Sequence, residues 1–118
     1  MALRYAQEAL EAAQVCLDRQ LDRSATSRAY YAMFWAAPAA LASVGIQRST
    51  WSHSGLQASF VAELIRRRKH YPATFGQHLH RVLQLRLDAD YRSEGVSHRQ
   101  ETAAVRWAAE CIAAMPDC

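Results

Sequence analysis

Long stretches of this chain run without a helix breaker. Only four Gly and three Pro occur, and between them apolar residues recur at steps of three and four, the spacing that puts them on one face of a helix. No apolar/polar alternation lasts as long as about six residues, so strands are excluded and the fold class is all-α, an up-and-down antiparallel bundle of about five helices. The first helix is expected over residues 2–21 on the stripe Leu3, Ala6, Leu10, Ala13, Leu17 and Leu21. Asp22-Arg23-Ser24 reads as a turn with Ser24 as N-cap, and the second helix then runs to Val44 before Gly45, a natural C′ residue. Inside it, Tyr30, Tyr31, Phe34 and Trp35 form the bulkiest patch and are expected at the centre of the core, and Pro38 predicts a kink or a break.

Residues 45–53 form the longest connection. Leu56, Phe60, Leu64 and Ile65 mark a third helix ending in the cations Arg66 to Lys69, which suit the negative end of a helix dipole. A fourth begins at Pro72 and extends to about Tyr91 with Phe75, Leu79, Val82, Leu83 and Leu87 apolar. Ser97 followed by Gln100 fits a capping box for a last helix buried through Ala104, Trp107, Ala108, Cys111, Ile112 and Met115.

A chain of 118 residues, 51% apolar, holds one core, so residues 1–118 are read as a single domain. The net charge of +3 is too small to argue for nucleic acid or membrane by itself. Thirteen of the 14 cations are Arg, the residue that forks onto phosphate or carboxylate oxygens, although a GC-rich genome leaves the same bias. No run approaches the ~20 apolar residues that span a bilayer. Glu8, Glu11 and Asp18 rule against a secretory signal over residues 1–20. Cys16, Cys111 and Cys118 are odd in number and far apart, as expected of thiols in a reducing cytoplasm. No His lies at finger-like spacing from a Cys pair, and His78 and His80 point to different sides of a helix, so no metal and no cofactor are expected.

Three groups of residues can carry chemistry. Arg86 and Asp90 are four apart, share a helix face with Leu79, Val82 and Leu83, and are followed by Tyr91. An Arg on that side is either paired with Asp90 to orient helices, or held by Asp90 so that it faces a phosphate. Arg28 stands beside Tyr30 and Tyr31, whose hydroxyls can meet a ligand or buried backbone groups. His53-Ser54-Gly55 precedes the third helix, where Ser or His can cap and Gly55 lets an anion approach backbone N–H groups. Together, Arg, Tyr and His are what a groove for RNA or a nucleotide uses. Walker loops, dinucleotide fingerprints and nucleophilic triads are absent.

Ser27-Arg28-Ala29-Tyr30-Tyr31-Ala32-Met33-Phe34, then His53-Ser54-Gly55 with Phe60, then Leu85-Arg86 with Ala89-Asp90-Tyr91, in this order and spacing, resemble the HEPN superfamily and its small prokaryotic single-domain members over residues 3–113. The resemblance implies a helical bundle that often forms homodimers. It also implies a minimal nucleotidyltransferase as partner within toxin–antitoxin or related defence systems. Many HEPN proteins are metal-independent ribonucleases using Arg, a short spacer and His, which supply a cation for the phosphorane charge and a proton-transfer group. Here Arg86 is followed by Asp90 and Tyr91 and no His. Arg48 with His53 and Arg92 with His98 meet the spacing elsewhere.

The departure shifts the expectation from nuclease toward a nucleotide- or RNA-phosphate-binding or regulatory subunit using Arg28, Tyr31, His53, Arg86, Asp90 and Tyr91. The alternatives are a ribonuclease toxin with Arg92 and His98 as its catalytic pair, or with His53 as the proton-transfer group, and a structural dimerisation module.

Overall fold

A computed structural model describes residues 2–91 and 95–115, and among them there are five helices and no strands. The first, α1, spans Ala2–Asp18 and stops three residues before the expected end. Gln20 turns left-handed at φ 59°, and Gln20 N–H to Leu17 C=O at 3.0 Å with Leu21 N–H to Cys16 C=O at 2.8 Å closes the helix end. This is a Schellman arrangement with Gln where Gly is usual.

The second helix, α2, spans Asp22–Ala42. It starts at Asp22, with Leu21 in the cap position, so Ser24 lies inside the first turn and does not cap it. Asp22 carries negative charge into that turn, where the helix dipole favours it. Its buried residues form two adjoining stripes, Ala25, Ala29, Ala32, Ala36, Ala40 and Thr26, Tyr30, Met33, Ala37, Leu41. A helix buried over so wide a face is the centre of a bundle, and α2 packs against every other helix. It runs unbroken through Pro38. Gly45, at φ 87°, closes it as expected, with Ile46 N–H on Leu41 C=O at 3.0 Å.

The third helix, α3, spans His53–Ser59 and continues without interruption as a π-helix over Phe60–Arg67. Its cap is Ser52, whose side chain accepts from Gly55 N–H at 3.0 Å, so His53 is the first helical residue and not the residue before it. Phe60 and Leu64 of the π-helix are buried. The chain leaves it through an aromatic stack in which Tyr71 lies between Phe60 and Phe75 at 5.5 and 5.7 Å. The fourth helix, α4, spans Ala73–Tyr91, directly after Pro72. Its buried Gly76 lets the π-helix approach: a Cβ there would stand 2.8 Å from Val61 Cγ2 and 3.2 Å from Ile65 Cδ1.

The last helix, α5, spans His98–Ala113 and opens on the expected capping box between Ser97 and Gln100. His78 of α4 stacks on Trp107 of α5, rings 4.5 Å apart, and burial lowers its pKa. Among the described residues one ionisable side chain, Glu101, is completely buried, in the first turn of α5. The bulky patch of α2 is only partly core: Tyr30 is buried, Tyr31 and Phe34 are half-buried, and Trp35 is 41% exposed. Leu21 and Leu87 are exposed as well. No described helix is long and apolar enough to cross a membrane.

Candidate functional site

Arg86 and Asp90 lie on adjacent turns of α4, and the centre of the bundle is the face of α2 opposite them. The guanidinium rests on two rings of α2, its carbon 4.9 Å from the centre of Tyr30 and 5.2 Å from that of Tyr31. Such cation–π contacts are worth about 0.5–2 kcal/mol each, more as water is excluded. Nη2 donates a long hydrogen bond of 3.4 Å to the Tyr31 hydroxyl. Nε lies 3.7 Å from Asp90 Oδ2, an ion pair without a hydrogen bond, and is itself buried with no acceptor. The Arg86 side chain is 22% exposed. The cation is thus fixed in place by aromatic faces and a carboxylate, and among the described residues the Tyr31 hydroxyl is its one hydrogen-bond acceptor.

The same aromatic pair reaches His53. The Tyr30 hydroxyl is hydrogen-bonded to His53 Nδ1, and the His53 ring lies 5.4 Å from Tyr30 and 5.2 Å from Phe34. Burial pushes the Tyr30 phenol up to about 12, against the opposing pull of Arg86. The phenol therefore keeps its proton, and the bond ties it to the Nδ1 edge of the His53 ring. His53 is exposed, so the rest of its ring faces solvent.

On its other side Tyr31 opens into a groove of about 630 Å³ between α1 and α2, lined also by Tyr5, Glu8, Arg28 and Trp35. The rings of Tyr5 and Trp35 stand 5.3 Å apart. Arg28 is exposed on this groove.

Of the residues singled out in the sequence, the fold brings together Arg86, Asp90, Tyr31 and, through Tyr30, His53, and it sets Arg28 on the adjoining groove. Tyr91 is 81% exposed and makes none of these contacts. His98 lies at the start of α5 with Nδ1 3.8 Å from Glu101, in a different cluster, and Arg92 lies outside the described residues. Sequence reasoning missed Tyr30 as the link between Arg86 and His53, and Tyr5 and Trp35 as groove walls. The signal for Tyr30 was its position directly before Tyr31, which puts the two rings side by side on a helix. Nothing marked Tyr5.

A helical bundle with an aromatic-cushioned arginine on its fourth helix is the class of molecule these observations define. A family model, the HEPN domain, matches residues 1–115. The chain belongs to the HEPN family, and that membership supports a nucleotide- or RNA-related or ribonuclease-type role. No curated protein matches the sequence.

Proposed function

We propose that this protein binds the phosphate of an RNA strand or nucleotide at Arg86, as the binding or regulatory subunit of a two-component toxin–antitoxin or defence system in the cytoplasm. The observation that carries this reading is the state of the Arg86 guanidinium, oriented by Tyr30, Tyr31 and Asp90 with only one long hydrogen bond formed. An arginine sealed in for helix packing would have its donors saturated by protein acceptors, whereas this one stays 22% exposed. Arg28 adds a second cation along the groove, and Tyr5 and Trp35 offer faces on which bases stack. Tyr91, on the exposed last turn of α4, is a polar contact at the rim. A minimal nucleotidyltransferase is the proposed partner. The exposed Val15 and Leu21, where α1 gives way to α2, support a homodimer.

Titration of short single-stranded RNA and of ATP and GTP tests the reading. Arg86→Ala should weaken binding by at least about tenfold, the loss of a charge-assisted hydrogen bond of ~1.5–3 kcal/mol. Wild-type titrations that stay silent for every ligand would overturn it and leave a structural dimerisation module.

A second reading, metal-independent RNA cleavage, is supported by one observation, the chain of contacts from Arg86 through Tyr30 to His53. In that reaction Arg86 steadies the phosphorane and His53 moves the proton. Cleavage in EDTA that is lost in His53→Ala would establish it, and cleavage lost only in His98→Ala would point to the Arg92–His98 pair.

A further inference from the structure

We propose that Asp22, His98 and Glu101 form a binding site for one divalent first-row transition ion of the zinc class, clamping the start of α5 to the start of α2. This site is separate from the Arg86 groove and does not depend on the reading given above for it.

Asp22 is the first residue of α2, His98 the first of α5, and Glu101 follows one turn later. One ligand atom from each lies within 4.8 Å of the others, and His98 Nδ1 is 3.8 Å from Glu101 Oε2. Glu101 is 0% exposed, yet neither of its oxygens meets a hydrogen-bond donor, and Asp22 Oδ1 is buried without one too. A carboxylate is costly in such a place unless a proton or a cation joins it. A divalent cation matches this donor set, because two carboxylates and a neutral imidazole carry two negative charges. The two helix N-termini contribute only about half a positive charge each, which leaves the pocket negative.

The donor set chooses the ion. One imidazole nitrogen with two carboxylate oxygens suits zinc, cobalt or manganese, whereas calcium and magnesium call for oxygen cages. Zinc bonds of about 2.0–2.2 Å place tetrahedral donors roughly 3.3–3.6 Å apart, so closure needs movements of little more than about 1 Å. The exposed His98 side chain supplies most of that movement and also the path by which the ion enters. Three protein ligands leave a fourth position for water.

The test uses untagged full-length protein stripped with EDTA and titrated with Co²⁺ or Zn²⁺ alone. Co²⁺ should bind at one per chain with the weak visible bands of nitrogen and oxygen ligation. Zn²⁺ at a hundredfold excess over its Kd should raise the Tm by about 10 °C. His98→Ala, an exposed position whose loss leaves folding intact, should weaken the affinity at least about tenfold, and Glu101→Gln should abolish binding with the far-UV circular dichroism retained. Binding undiminished in His98→Ala would overturn the proposal. So would a thiolate-to-cobalt charge-transfer band, which would place the ion on cysteine, and so would no binding at millimolar Co²⁺, which would mean that the acids hold a proton only.

Discussion

Removing either end of the Tyr30–His53 hydrogen bond should cost unequal amounts, because one end is buried and the other faces water. In Tyr30→Phe the buried hydroxyl disappears and the ring stays. The exposed His53 finds water, so only the net value of the bond is lost, about 0.5–1.5 kcal/mol. In His53→Ala the phenol, on a residue 2% exposed, is left without a hydrogen-bond partner, at about 1–3 kcal/mol. The contacts of the imidazole with Tyr30 and Phe34 at 5.4 and 5.2 Å go as well, adding about 0.5–1.5 kcal/mol. The His53 variant should therefore be destabilised by about 2–4 kcal/mol, two to three times the Tyr30 value. Placed on the Tyr30→Phe background, His53→Ala should cost only the ring contacts, which gives a coupling of about 1–3 kcal/mol. Urea unfolding followed by far-UV circular dichroism measures all three, with equal m-values as the check that the unfolded ensembles match. Additive losses, or a His53→Ala loss no larger than that of Tyr30→Phe, would refute the bond. Because Tyr30→Phe keeps the ring under Arg86, RNA affinity should stay within about twofold of wild type, since the cation–π contact of at most ~2 kcal/mol is unaltered.

Two further outcomes follow from burial. Gly76→Ala should lower stability by about 1–2 kcal/mol although Ala is the better helix former by about 1 kcal/mol, because its Cβ would press on Val61 and Ile65 of the π-helix; Val61→Ala should restore part of the loss, and a higher Tm for the single variant would contradict the packing. In EDTA, Glu101 should make stability fall as pH rises. The unfolded carboxyl ionises near 4.5 while the folded one holds its proton up to about 8, so the unfolded state binds fewer protons in that window, the slope is about −1.4 kcal/mol per pH unit at most, and the curve flattens above it. Glu101→Gln should remove that dependence in chemical denaturation across pH 5–9, and an unchanged slope would sink the assignment.

The bundle could be read in the sequence because its determinants are local. Apolar steps of three and four, Gly45 after the second helix, and Ser97 three residues before Gln100 each act within a turn or two. The same locality exposed the Arg86–Asp90 pair. The π-helix was hidden because a shift from one carbonyl partner to the next leaves the side-chain pattern over Phe60–Arg67 nearly unchanged. Trp35 was misplaced since composition favours burial of a large ring, but α2 presents that position to the groove beside Tyr5. The seating of Arg86 on Tyr30 and Tyr31 joins positions 55 residues apart, and the meeting of Asp22 with His98 and Glu101 joins opposite ends of the chain. Contacts of that range depend on how helices pack, which no window of sequence displays.

The claim that Arg86 is held for a ligand is tested most directly at its own nitrogen. Titrating ¹⁵N-arginine-labelled protein with short single-stranded RNA should shift the Arg86 Nε–H resonance saturably, in step with binding measured by anisotropy, and Arg86→Lys should remove that resonance and most of the affinity. A resonance that stays fixed while RNA binds would show that the guanidinium serves only to pack α4 against α2.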